Sequence, residues 1–267
     1  MPRFAANLSM LFCELPFAER FAAAARAGFA AVEVQFPYEL PAAQIADLLR
    51  EHQLQLVLHN LPAGDWAAGE RGIACHPDRV EEFRTGVAKA IDYATALGCP
   101  QINCLAGIAP AGVAGADIRA TFVANLRYAA AELKRAGLKL LVEPINTFDI
   151  PGFYLSYTAQ ALGILDEVAA DNAFLQYDVY HAQRMEGELG NTVSRHLPRI
   201  AHIQIADNPG RHEPGSGEIN FDWLFRHLDA IGYPGWVGCE YRPATTTEAG
   251  LGWRDASCAR PGTRSQP

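Results

Sequence analysis

The amino-acid sequence predicts an α/β fold, a single-domain (β/α)8 barrel, on three observations. Short apolar runs recur eight times, each followed by a longer amphipathic segment. Several runs, LKLLV at 138–142 among them, are nearly continuously apolar, as strands buried on both faces are. The chain of 267 residues has no Pro/Gly/Ser-rich linker to divide it, and single barrels run to about 250 residues. The competing architecture is an open doubly wound sheet. The sequence holds neither GxGxxG nor GxxxxGK[ST], which weakens a dinucleotide or P-loop reading.

Taken in order, residues 4–11 read as a first strand and 16–27 as a helix that stops at Gly28. A second strand at 31–36 leads to a helix at 41–52, and a third at 55–61 leads through a long loop to a helix at 77–97, stopped by Gly98. The fourth strand, 101–107, precedes a helix at 117–136 stopped by Gly137; the fifth, 139–145, precedes one at 158–169. The sixth strand, 174–180, is followed by a helix at 186–197, the seventh, 200–206, by one at 221–231, and the eighth, 236–241, by a short helical piece at 247–254. Glycines after helices supply the left-handed residue of a helix C-terminus. Strands alternating with helices pair in parallel through right-handed crossovers. The barrel domain is expected over 1–254; the polar stretch 255–267, with two prolines and no periodicity, is expected to be disordered.

Composition narrows the function. Hydrophobic residues at 49% and charged residues at 19% support a large core. A formal net charge of −8 repels phosphate backbones and argues against nucleic-acid binding. The six cysteines form no CxxC pair, and Cys104 and Cys239 sit in apolar runs as reduced, buried thiols do. The first residues lack the continuous apolar core of a signal peptide, and no run approaches the roughly 20 apolar residues of a membrane span. A cytoplasmic protein without a membrane partner is expected.

Chemistry-bearing residues collect late in the chain. Catalytic groups of a barrel gather at the C-terminal ends of its strands. There Glu143 follows LKLLV, Asp178 ends FLQYD, Gln204 lies in IAHIQIADN and Glu240 follows WVGC. Each alone could be hydrogen-bonded separately or paired with an arginine. Together, three carboxylates at one barrel mouth would repel one another unless a divalent cation compensates them. An all-oxygen set suits Mg²⁺ or Mn²⁺ better than zinc.

At these residues the sequence resembles the hydroxypyruvate isomerase family of the xylose-isomerase-like TIM barrels. The matching stretches are FAANLSMLF (4–12), LHNLPAGDWAAGERGIA (58–74), VEPINTFDIPGF (142–153), QYDVYHAQRMEGEL (176–189), HIQIADNPGRHEPGSGEIN (202–220) and WVGCEYRPATTTEAGL (236–251). The resemblance implies a divalent metal on Glu143, Asp178, Gln204 and Glu240, with Gln204 standing where related ketose epimerases usually carry His. It implies that Glu143 and Glu240 carry the proton transfers, and that the substrate is a small 2-oxo or hydroxy acid, with no organic cofactor. The implied reaction interconverts hydroxypyruvate and 2-hydroxy-3-oxopropanoate (tartronate semialdehyde) through an enediolate. Isomerisation of a four-carbon 2-oxo-tetronate is the alternative, with ketose epimerisation behind it.

Three further residues are candidates for substrate binding. Arg211 lies in the loop after the seventh strand and could take the substrate carboxylate. His181, three residues after Asp178, could bond a substrate oxygen, and His59 ends the third strand. The loop with Trp66, Glu70 and Arg71 could close over the mouth or stand as a static loop. Asn7 and Asn103 read as structural hydrogen-bonding groups, and Glu186 and Glu188 as acids favoured near a helix N-terminus. Alanine-rich helix faces at 17–27 and 128–136 read as packing surfaces, which leaves a homo-oligomer open. Two other function classes stand beside the isomerase: a metal-dependent DNA-repair endonuclease, disfavoured by the oxygen ligand set and the negative charge, and a sugar-acid binding protein, which would not need two glutamates.

Overall fold

The structure, a computed structural model, describes residues 2–254. The stretch 255–267, expected to be disordered, lies outside the described residues, as does Cys258. The strands are β1 (Arg3–Asn7), β2 (Ala31–Val34), β3 (Gln55–Asn60), β4 (Gln101–Cys104), β5 (Lys139–Val142), β6 (Ala173–Asp178), β7 (Ile200–Ile205) and β8 (Trp236–Cys239). They form a closed barrel in sequence order, every pair parallel, with β8 hydrogen-bonded back to β1. The helices are α1 (Phe17–Arg26), α2 (Ala42–Glu51), α3 (Val80–Leu97), α4 (Gly115–Arg135), α5 (Thr158–Val168), α6 (Val179–Met185), α7 (Leu189–His196) and α8 (Phe221–Ala230). The expected (β/α)8 barrel is the observed one.

Periodicity explains how the helices cover the sheet. In α3 the buried residues are Phe83, Val87, Ala90, Ala94 and Leu97, steps of four and three that keep one stripe inward. Gly98 ends it at φ +64°, and its backbone N–H returns to Thr95.

One element differs from expectation. The sixth strand stops at Asp178, not at 180, and a helix absent from the sequence reading, α6, begins at once. The cause is Asp178 itself. Its Oδ1 accepts the backbone N–H of Tyr180 at 2.8 Å and of His181 at 3.5 Å, an N-cap that starts a helix directly from a strand end. The helix expected at 186–197 is consequently shorter, Leu189–His196. Glu186 lies between the two helices and accepts the N–H and hydroxyl of Thr158 at 2.7 and 2.9 Å, anchoring the start of α5.

The barrel interior has an apolar floor and a polar storey above it. Ala5, Ala31 and Val57 form the floor, with Trp236 against them. Two residues further along β1 and β2, on the same face, stand Asn7 and Glu33. Glu33 is buried and accepts from Asn7 Nδ2 at 2.8 Å and Gln204 Nε2 at 2.7 Å, while its Oε2 meets His202 Nε2 at 2.6 Å. Gly238 makes the room: a Cβ there would lie 2.2 Å from Glu33 Oε2. Since Glu33 is tethered on both oxygens, Gly238→Ala is expected to destabilise the protein by about 1–3 kcal/mol through overpacking. Denaturant unfolding checks this; an unchanged midpoint would mean that Glu33 moves freely.

Candidate functional site

Parallel strands all deliver their C-terminal ends to one rim, so residues far apart in sequence meet there. Glu143 and Glu240 directly follow β5 and β8, and Asp178 ends β6. Oxygen atoms of these three carboxylates and a ring nitrogen of His181 all lie within 4.8 Å of one another, and all four residues are buried. They adjoin a cavity of about 980 Å³ whose wall includes Glu143, His181, Arg211 and Glu240.

Each carboxylate is held differently. Glu143 receives one side-chain donor, Asn103 Nδ2 at 2.9 Å. Glu240 receives Gln35 Nε2 at 2.8 Å and Asn7 Nδ2 at 3.1 Å on Oε1, and Arg211 Nη2 at 2.7 Å on Oε2. Asp178 commits Oδ1 to the cap of α6, and its buried Oδ2 has no hydrogen-bond partner among the described residues. Asn7 and Asn103, read from sequence as structural, thus hold the acids themselves.

Burial and mutual repulsion govern the charges. Burial, then Glu240 and Asp178, hold the Glu143 carboxyl well above the usual range. Asp178 is pushed up to about 7 by burial, with Arg211 opposing and Glu240 adding to the rise. Burial also raises Glu240, against the pull of Arg211. Three crowded acids that resist ionisation, one with an oxygen that has no partner among the described residues, fit a divalent cation, whose charge would offset the burial and repulsion that raise them. Such a group can hold a divalent metal on Glu143, Asp178 and Glu240.

The tautomer of His181 follows from Asn146. Asn146 Oδ1 accepts the N–H of Asp149 at 2.8 Å, so its Nδ2 faces His181 Nδ1 at 2.6 Å as donor. Nδ1 is therefore the acceptor and Nε2 carries the proton. Burial holds this imidazole well below its ordinary range, so it is neutral, and its 3.6 Å approach to Asp178 is not an ion pair. A neutral ring with Nε2–H in the site is placed to donate to an oxygen rather than to ligate a cation.

The other candidates fall into two groups. Gln204 lies opposite Asp178 in the β6–β7 register, its Nε2 on Glu33 and its Oε1 accepting from Gln176 Nε2 at 2.5 Å. Arg211 reaches the acids: besides Glu240, its Nη2 is 3.8 Å from Asp178 Oδ2, and its buried Nε has no partner among the described residues. It stands at φ +55°, unusual for a residue with a side chain, in the loop after β7. That loop is built on Asp207, whose carboxylate accepts the N–H groups of Asn208, Gly215, Gly217 and Ile219. His59 is not brought to the cavity wall. It is fully buried, with Nδ1 on the Asn60 carbonyl at 3.1 Å, and burial lowers it to about 4; Asn60 lines the cavity instead.

Sequence reading passed over Glu33, Gln35, Asp207, His202 and Asn146. Glu33 carried the same signal as the others, a carboxylate within the apolar run AVEVQF. Asp207 lies just past the end of the apolar run IAHIQIA.

An eight-stranded parallel barrel with buried carboxylates and a histidine at its C-terminal rim defines a class of α/β barrels whose mouth can hold a divalent metal. The chain belongs to the xylose isomerase-like TIM barrel family, whose model matches residues 21–257. Within it, the expected resemblance is borne out: the chain is 58% identical over 255 residues to the hydroxypyruvate isomerase of Escherichia coli K12, covering 96% of this chain and 99% of that protein. It is 48% identical to the 2-oxo-tetronate isomerase of Cupriavidus necator, covering 95% and 97%. A solved structure described as AP endonuclease, family 2 from Brucella melitensis superposes with a TM-score of 0.93 at 47% identity, covering 96% of this chain and 99% of that one.

Proposed function

We propose that this chain is an isomerase that interconverts hydroxypyruvate and 2-hydroxy-3-oxopropanoate with the aid of a divalent metal. The observation that carries the reading is the buried meeting of Glu143, Asp178, His181 and Glu240 within 4.8 Å at the barrel mouth. The 58% identity to the E. coli hydroxypyruvate isomerase supports the substrate.

The metal ligands in this reading are Glu143, Asp178, Gln204 and Glu240, and an all-oxygen set favours Mg²⁺ or Mn²⁺. Gln204 would serve through its carboxamide oxygen, because Glu33 fixes the nitrogen side. When bound, the cation supplies Lewis-acid stabilisation of the oxyanion that develops as a carbon acid ionises. The protein does the rest. One of Glu143 and Glu240, as carboxylate, removes a proton from C3 of hydroxypyruvate. The C3–H electron pair becomes the C2–C3 double bond of the enediolate, and the C2 carbonyl electrons move to O2. The other glutamate, as acid, then returns a proton to C2, and the C3 oxygen becomes the aldehyde after losing its hydroxyl proton to the O2 side. His181 Nε2–H and the free Nε of Arg211 donate to substrate oxygens while that charge builds.

Metal binding should depend on pH with a defined sign. Asp178 titrates at about 7 in the fold against an ordinary value of 3.8, so between those values the metal-free fold holds a proton that the unfolded chain has lost. Stability without metal therefore falls as pH rises through that window, and cation affinity rises through it, with Glu143, also held above its usual range, adding to the rise. Titration of Mn²⁺ in two buffers of different ionisation enthalpy is expected to show proton release at pH 6 and a higher affinity at pH 8. Equal affinity at both pH values would count against these ligands.

Isomerisation of a four-carbon 2-oxo-tetronate by the same chemistry is the second reading. The 48% identity to the C. necator 2-oxo-tetronate isomerase favours it, and a cavity of about 980 Å³ accommodates either acid. The ratio of kcat/KM for the two substrates decides. We place the protein in the cytoplasm, as a homo-oligomer; no helix among the described residues is long and apolar enough to cross a membrane. An endonuclease is disfavoured by the net charge of −8 and the carboxylate-rich site. Cleavage of an abasic duplex with no turnover of either 2-oxo acid would overturn the isomerase reading.

A further inference from the structure

Four arginines line the cavity, Arg71, Arg184, Arg211 and Arg242, and they differ in what already neutralises them. Arg184 binds Asp149 at 2.5 Å, and Arg211 binds Glu240 at 2.7 Å. Arg242 is exposed and, among the described residues, has no acid partner to hold it. Arg71 is held but not neutralised. Its Nη1 donates to the carbonyls of Trp66 at 3.1 Å and Glu70 at 2.7 Å, and its guanidinium stands 4.1 Å from the centroid of the Trp66 ring. Among the described residues it meets no carboxylate, and its Nε and Nη2 have no acceptor. The neighbouring acid is drawn elsewhere, since Glu70 accepts Arg79 Nη1 and the Asp65 N–H, both at 2.5 Å.

The loop that carries Arg71 is fastened at its base. Gly72 N–H donates to the Ala63 carbonyl at 2.9 Å, and its φ of +110° with a Cβ position 2.4 Å from the Leu105 carbonyl admits only glycine. Trp66, beneath the guanidinium, rests on Phe36 with ring centroids 5.1 Å apart. Arg71 is thus a preorganised fork facing the cavity rather than a mobile surface charge.

Charge counting says what the fork is for. Glu143, Asp178 and Glu240 carry three negative charges when ionised, and a divalent cation with Arg211 carries three positive ones. A substrate carboxylate is a further negative charge that the inner site leaves unanswered, and burying it uncompensated would be costly. We propose that Arg71, on its Trp66 platform, is the receptor for the substrate carboxylate and selects 2-oxo acids over neutral ketoses. The substrate's identity rests on the isomerase reading; the anion preference does not.

Calorimetry on the full chain with saturating Mg²⁺ tests this without turnover, using glycerate as an unreactive acid and glycerol as its neutral control. Wild type should prefer glycerate. Arg71→Ala and Arg71→Gln should each weaken glycerate on the order of 10–100-fold, leave glycerol unchanged, and keep wild-type Mn²⁺ affinity. Arg71→Lys should recover only part, because a point charge cannot form the fork. Arg242→Ala should change glycerate binding less than about threefold. With hydroxypyruvate, Arg71→Ala should raise KM by the same factor as the glycerate loss, with kcat affected less. Glycerate bound by both the Ala and Gln variants as by wild type, equal weakening by Arg242→Ala, or no wild-type preference over glycerol would overturn the proposal. Arg71-dependent glycerate binding in a protein that does not turn over hydroxypyruvate would sink the isomerase reading and leave this one standing.

Discussion

Glu143→Gln and Glu240→Gln proteins are each expected to lose about 10²–10⁴-fold in kcat on hydroxypyruvate. The substitution keeps shape and a carboxamide oxygen for the cation but removes the group that can take up or release a proton. Cation affinity should therefore fall much less than turnover. The two variants should also differ in their partners. In Glu143→Gln, Asn103 remains as a donor to the amide oxygen. In Glu240→Gln, Arg211 loses its closest anion, at 2.7 Å, and is left facing Asp178 at 3.8 Å. That variant should show the lower Tm of the pair, since a cation in a largely buried place has lost its counter-charge. Steady-state kinetics with exchange of the substrate C–H into deuterated solvent reads the roles. If both variants exchange and turn over at near wild-type rates, neither glutamate moves the proton.

Asp178→Asn is expected to abolish turnover by a different route, through the metal. Asp178 has no assigned proton transfer; its free Oδ2 is the buried oxygen without a partner among the three acids. Loss of an outer partner of a metal ligand typically costs 10–100-fold in affinity, so loss of a ligand charge should cost at least about 100-fold. Asn retains Oδ1 for the N–H groups of Tyr180 and His181, so the cap of α6 and the fold survive. Asp178→Ala should in addition lose about 1 kcal/mol of stability with the cap. Mn²⁺ titration followed by electron paramagnetic resonance separates the cases. Tight, wild-type Mn²⁺ binding by Asp178→Asn would remove this carboxylate from the ligand set.

Much of this molecule was legible along the chain because the determining physics is local. A strand buried on both faces is apolar throughout, an amphipathic helix follows a 3.6-residue period, and all strand ends of a parallel barrel share a rim. Hence Glu143, Asp178 and Glu240 could be singled out as neighbours without any contact being known. The exception, α6, was hidden because its start depends on one side chain, Asp178, turning back to cap it.

Sequence by itself determined the barrel, its strand order and the acids at its mouth. Only the tertiary structure decided which donor meets which acid. Asn7 reaches Glu240 across 233 positions, His202 meets Glu33 across 169, and Arg211 folds back on Glu240 across 29. It also separated His59 from the cavity and, among the described residues, gave Arg184 an acid partner but Arg71 none. The reason is that hydrogen bonds and ion pairs act over about 3–4 Å. Their partners are set by strand register, barrel closure and loop conformation, and none of those is written in the spacing of residues along a single strand or helix.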